Sequence, residues 1–179
     1  GYREDQFQFL ENNLKHVPKD KLVVLSQHIH LMNNSGNSYR LEDRQRLFDL
    51  LKDYENVLIM TAHTHLQYLA EYTEADGWKG QKPLHEYNAG TTSGDWYSGK
   101  HDERGLPDAT MWDGTPQGYA ILNINGNQYD IDYRVAGRES DYQMNIYAPK
   151  VVAYKGRTTS QIVVNFFMGS PTDKVEYRI

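Results

Sequence analysis

Two short apolar runs, Lys21-Leu22-Val23-Val24-Leu25-Ser26 and Val57-Leu58-Ile59-Met60-Thr61, constrain the fold of this chain more than any other feature. Each has the length and continuity of a strand buried inside a covered sheet. Between them, Leu41, Leu47, Phe48 and Leu51 mark one face of a helix, with Asn37 or Ser38 as its expected cap. The polar stretch from Asn33 to Ser38 reads as a loop. Strand, helix and strand of these lengths predict a parallel crossover, because a tight hairpin cannot join parallel strands. Ahead of this unit, Phe7, Leu10 and Leu14 recur at helical spacing, and Pro18 lies just past the predicted helix end.

After Thr61 the helical period is lost. Leu66, Tyr68 and Tyr72 stand at even spacing, followed by turn chemistry at Asp76-Gly77. Beyond Gly90 the chain is rich in Gly, Ser, Asp and Trp, then falls into short β-type runs. Gly118 to Ile124 and Gln128 to Val135 flank Asn125-Gly126, a strong hairpin signal. Gln143 to Tyr147, Gln161 to Phe167 and Lys174 to Ile179 read as further strands, broken at Pro149, Gly156, Gly169 and Pro171. Short strands with frequent turns predict a small antiparallel sandwich or barrel. The expected fold is thus α/β plus all-β: an α/β sheet unit over residues 1–95, then a β-rich, sandwich-like unit over 96–179. The junction falls between Gly90 and Pro107, and no internal repeat is visible.

Charge and composition narrow the function classes. Nineteen Lys and Arg against twenty-four Asp and Glu leave a net charge of −5, which argues against coating nucleic acid. The absence of cysteine excludes disulfides, thiolate zinc sites and cysteine nucleophiles; it leaves the compartment open. No apolar stretch approaches the ~20 residues that span a bilayer. The opening Gly1-Tyr2-Arg3-Glu4-Asp5 is polar and lacks an initiator Met, so no signal peptide is expected here, and the chain reads as a piece of a longer one.

The seven histidines are unevenly placed. His28 and His30 follow the first buried strand, and His63 and His65 follow the second. Ligands bind at the carboxyl ends of parallel strands in open α/β sheets, so two His-x-His pairs at neighbouring strand ends converge. Alternate residues of an extended segment share a side, which would let His63 and His65 face one ion or two adjacent ones. With no thiolates, such a site suits Zn, Mn or Fe completed by carboxylates and water. A lone histidine at a strand end is ordinarily a solvated or hydrogen-bonded residue, and only the doubling of the pair outweighs that reading. His16 suits a helix C-terminus through the dipole, and His85 and His101, in turn-rich sequence, suit surface or packing roles. Spacing alone reaches a histidine metal site and stops there.

The order Val23-Val24-Leu25-Ser26-Gln27-His28-Ile29-His30, a helix, then Leu58-Ile59-Met60-Thr61-Ala62-His63-Thr64-His65 resembles the C-terminal half of the calcineurin-like metallophosphoesterases. Residues 1–95 carry this resemblance. The remainder resembles the β-rich C-terminal domain appended to a bacterial subgroup of these enzymes, through Ser93-Gly94-Asp95-Trp96-Tyr97-Ser98-Gly99, Asp113 to Tyr119, Val163 to Gly169 and Lys174 to Arg178. The resemblance implies a dinuclear-metal phosphoesterase acting on phosphate mono- or diesters, with His28 and His63 on one divalent ion (Mn, Zn or Fe) and His65 on the other. Ala62 replaces the usual Gly. His30 stands where relatives often have Pro, and is either solvated or a contact for substrate phosphate. Relatives with this β domain are often exported.

The same resemblance implies what is missing. An Asp-x-His, a Gly-Asp-x-x-Asp and an Asn-His-Asp/Glu should precede the lone histidine, and none does. Asp95 follows Gly94 but comes after His65 and lacks the second Asp. No catalytic general acid is therefore expected in this chain. Two neighbouring cations need an anionic bridge, which three neutral imidazoles cannot supply. The expectation is a fragment that is inactive alone, with a free sheet edge suited to dimerisation or strand exchange. Two alternatives stand beside it: a carbohydrate- or envelope-binding β module, and a mononuclear zinc hydrolase on His28, His63 and His65.

Overall fold

The computed structural model describes residues 1–31, 39–97, 99–152, 154, 159–170, 172–176 and 178. The loop expected from Asn33 to Ser38, with the two candidate cap residues, lies outside these, as do Ser98, Gly156, Pro171, Tyr177 and Ile179.

Helix α1 (Glu4–Leu14) and helix α2 (Leu41–Leu51) turn the predicted apolar stripes inward, except for Leu41, which is exposed at the start of α2. Phe7, Leu47, Phe48 and Leu51 are essentially fully buried, together with Ile59, Tyr72, Trp78 and Leu84. Burying each such side chain is worth about 1.5–3 kcal/mol. Arg46 ties the helices together: it pairs with Glu4 at 2.6 Å and Glu11 at 3.0 Å, and its guanidinium lies 4.1 Å from the Phe7 ring centre. At the start of α2 the capping position is held by Arg40, whose side chain makes no capping hydrogen bond.

Strands β1 (Leu22–Ile29) and β2 (Asn56–Ala62) occupy the two apolar runs and pair in parallel. The sheet continues with β3 (Tyr68–Tyr72) and β4 (Leu84–Asn88) in the order β1-β2-β4-β3. β4 runs parallel to β2 and antiparallel to β3, so a strand without an apolar run of its own lies inside the sheet. His85 belongs to this strand, not to a turn. A short 3₁₀ turn over Glu74–Asp76, closed by Gly77 at φ 89°, joins β3 to the approach of β4.

Among the described residues, the β-rich part forms two separate two-stranded antiparallel sheets. β5 (Gly118–Asn125) and β6 (Gln128–Val135) make a hairpin whose loop is Gly126-Asn127, one residue later than the Asn-Gly pair suggests. Gly126 takes φ 63° at the first loop position, where a type II′ turn needs glycine. β7 (Met144–Tyr147) pairs with β8 (Val163–Phe166). Among the described residues from Lys174 to Arg178, the expected final strand is absent. A second small core gathers Met111, Tyr133, Val135 and Phe167.

The two parts are joined at several points. The Leu22 N–H donates to Asn127 Oδ1 at 3.2 Å, the Gln67 N–H to Asp113 Oδ2 at 3.0 Å, and the Gln67 side-chain amide to the Phe167 carbonyl. On β4, His85 Nδ1 lies 2.7 Å from the Tyr129 hydroxyl of β6, and His85 Nε2 lies 3.3 Å from Glu71 of β3.

Candidate metal centre

The parallel crossover brings the ends of β1 and β2 side by side. Ser26 pairs with Met60 and Ile29 with Ala62, so Gln27 and His28 together oppose Thr61. This is a β-bulge, a device that re-aims side chains next to functional sites. Gln27 is pinned there: it donates to the Ile29 carbonyl at 2.6 Å and accepts the Tyr2 hydroxyl. His28 therefore sits within β1, near its end, and not beyond it. Its Nε2 faces His63 Nδ1 at 3.1 Å, with ring centres 5.0 Å apart. Both rings are exposed.

The chain after β2 is a turn, not the extended segment that alternation assumes. His63 has φ 76° and His65 φ 54°, and the Thr64 N–H donates to the Ala62 carbonyl at 2.9 Å. A γ-turn with positive φ at its centre is rare and strained, and left-handed backbone costs a non-glycine residue about 1–2 kcal/mol. The turn is held from below by buried polar side chains. Asn88, fully buried, donates to Thr64 Oγ1 at 2.6 Å and to the Leu66 carbonyl at 2.7 Å. Thr61 Oγ1 lies 3.1 Å from Asn88 Oδ1 and donates to Glu86 Oε1 at 2.6 Å. Glu86, also fully buried, further accepts the Leu31 N–H at 2.9 Å and the Tyr72 hydroxyl. Burial and the Glu86 charge hold the Tyr72 hydroxyl well above its ordinary pKa.

The remaining two imidazoles take different surroundings. His30 is half-buried, its ring stacked toward His63 at 6.3 Å and edge-on to Tyr68 at 6.5 Å. Its Nδ1 and the Tyr68 hydroxyl are buried without a hydrogen-bond partner among the described residues. Burial pulls His30 below its ordinary pKa; Glu86 opposes that shift and His63 adds to it. His65 turns away from them: its Nδ1 lies 3.7 Å from Asp95 Oδ1, and its ring is 5.7 Å from that of Trp96. His16 is exposed just past α1, and His101 lies beside Tyr97.

The structure thus brings His28, His30 and His63 together and places His65 against Asp95. No group of three or more His, Asp or Glu side chains is gathered as a ligand set among the described residues. The His28–His63 pair nonetheless fits a shared cation. Two imidazole nitrogens bound tetrahedrally to zinc at ~2.0–2.1 Å stand about 3.3 Å apart, close to the 3.1 Å observed. Thr61, Glu86 and Asn88 escaped the reading of the sequence, in which Asp95 figured only as an aspartate that fails the missing Gly-Asp-x-x-Asp motif. The polar residues of Leu84-His85-Glu86-Tyr87-Asn88 masked a buried strand, and Asp95 carries no motif that its partner thirty residues earlier would reveal. A groove of about 810 Å³ runs between β3 and the Phe166 to Ser170 segment, and none of the four imidazoles lines it.

A family model described as the C terminal of calcineurin-like phosphoesterase matches residues 86–179, which include Asp95 and follow His28, His30, His63 and His65. No curated protein and no solved structure matches the chain. The matched residues make up more than half of the sequence, and the chain belongs to the family of C-terminal regions of calcineurin-like phosphoesterases.

Proposed function

We propose that this chain is the C-terminal portion of a two-metal phosphoesterase acting on phosphate mono- or diesters. His28 and His63 would hold one divalent ion, manganese, zinc or iron, and His65 the other. When bound, such ions polarise a phosphoryl oxygen and supply hydroxide at neutral pH. The observation that carries this reading is the facing of His28 Nε2 and His63 Nδ1 at 3.1 Å, at the ends of adjacent parallel strands. This chain's own contribution is to fix those nitrogens, through the bulge at Gln27 and the turn anchored by Asn88. His30, whose Nδ1 lacks a partner beside them, is the candidate contact for a substrate phosphate oxygen. The bridging carboxylate, the Asn ligand and the proton-donating His belong to sequence outside this chain, so it is inactive alone.

Titration of the chain with Zn²⁺, followed by imidazole NMR, tests this. His28 and His63 should respond together, and His28→Ala should abolish the response of His63. An unmoved pair refutes the metal reading. Turnover of a generic phosphodiester with Mn²⁺ or Zn²⁺, lost on His63→Ala, would refute the inactivity of the isolated chain.

A second reading, a glycan-binding module, is favoured by the exposure of Trp96 and Trp112, 82% and 89%. Glycan binding that survives His63→Ala but not removal of either indole would support it.

A further inference from the structure

We infer that Asp95 is a positioning residue for His65: it fixes the imidazole with the proton on Nδ1, which leaves the Nε2 lone pair to face a ligand. The inference rests on the metal reading above only for what Nε2 binds.

Asp95 is placed by a rigid turn. The Gly94 N–H donates to the Thr91 carbonyl at 3.0 Å, and the Asp95 N–H donates to the Ala109 carbonyl at 2.8 Å. Gly94 has φ 72°, and a Cβ there would run into that same Ala109 carbonyl, so only glycine allows the approach. The turn delivers a carboxylate that is 11% exposed to within 3.7 Å of His65 Nδ1. A carboxylate removed from water needs an N–H or a cation as partner, and Nδ1 is the ring nitrogen turned toward it.

The chemistry then follows from imidazole itself. A neutral ring carries one proton, and the hydrogen bond made by one nitrogen decides which nitrogen keeps a free lone pair. A carboxylate at Nδ1 selects the tautomer whose Nε2 can bind a metal, and it raises the basicity of that nitrogen. At 3.7 Å the contact is longer than the ~2.9 Å of a formed hydrogen bond; such contacts tighten when a site is loaded. The Trp96 ring flanks the His65 imidazole, 5.7 Å between ring centres and tilted 38° to it, and is itself 82% exposed. Asp95 lies in the family-matched region and the four imidazoles do not, so the matched segment contributes a residue to the site it follows.

Two-bond nitrogen–proton NMR correlations of the imidazoles, recorded on the full metal-free chain, decide this. His65, assigned with His65→Ala, should show the Nδ1–H tautomer. Asp95→Ala, and the volume-matched Asp95→Leu should the first not fold, should shift His65 toward Nε2–H. Asp95→Asn, which keeps an accepting oxygen, should restore Nδ1–H. With Zn²⁺ as probe, loss of Asp95 should weaken the His65 response by ~10-fold or more while the His28 and His63 responses stay unchanged. An Nε2–H tautomer in the unmodified chain, or an unchanged His65 spectrum in both Asp95→Ala and Asp95→Leu, overturns the inference. If Zn²⁺ moves no histidine while the tautomer follows Asp95, the metal reading fails and the positioning role stands.

Discussion

Replacing Thr61 by Val isolates the buried network beneath the histidine turn. Thr61 is 3% exposed, and Val fills the same space, so no cavity term enters. The hydroxyl's bond to Glu86 at 2.6 Å is of the charge-assisted kind, worth about 1.5–3 kcal/mol. The hydroxyl has one proton, so Asn88 Oδ1, 3.1 Å away, receives no second hydrogen bond from it. The expected cost is therefore about 1.5–3 kcal/mol, a large part of the ~5–15 kcal/mol that holds an ordinary domain folded. With a urea dependence of about 2 kcal/mol per M, the midpoint should fall by about 0.8–1.5 M. Urea melts of Thr61→Val, Glu86→Gln and the double variant measure both the cost and the coupling. Because Asn88 also anchors Thr64, the His63 ring resonances should shift in Thr61→Val. A stability loss below about 0.5 kcal/mol, or additive single variants, would show that the network does not stabilise the turn.

Two other outcomes follow from the same structure. Because His63 has φ 76°, His63→Gly should be more stable than His63→Ala by about 1 kcal/mol, the reverse of the usual order; equal melts would remove the strain from the account. Burial, with Glu71 adding, pushes the Tyr129 hydroxyl up to about 12, whereas the unfolded chain releases that proton near pH ~10. A raised folded value contributes stability that is complete below the unfolded value and is lost as pH rises through the folded one. The urea midpoint should therefore fall from about pH 10 toward 12 more steeply in the native chain than in Tyr129→Phe; parallel slopes would refute this.

The elements with a period of their own were legible in the sequence. β1, α2, β2 and the β5–β6 hairpin follow apolar runs, a helical stripe and a glycine turn signal whose loop lies one residue later than the Asn-Gly pair, all local signals. β4 was not, because Glu86 and Asn88 look like surface residues until Leu31, Thr61, Tyr72 and Leu66 are brought to them by folding. The meeting of His28 with His63 was legible, since a parallel crossover sets neighbouring strand ends together. The parting of His65 from them was not. It depends on two left-handed backbone angles and on a carboxylate thirty residues later. The expected sandwich rested on counting short strands, which says nothing of whether separate hairpins stack face to face.

The seam between the α/β sheet and the β-rich part has a consequence for modularity. Leu22 is bonded to Asn127, Gln67 to Asp113 and Phe167, and His85 to Tyr129. A gene fusion that grafted residues 96–179 onto another scaffold would strand Asn127, Asp113 and Tyr129 with their partners left on the donor. The β-rich unit is portable only when it travels with the strands it is sewn to.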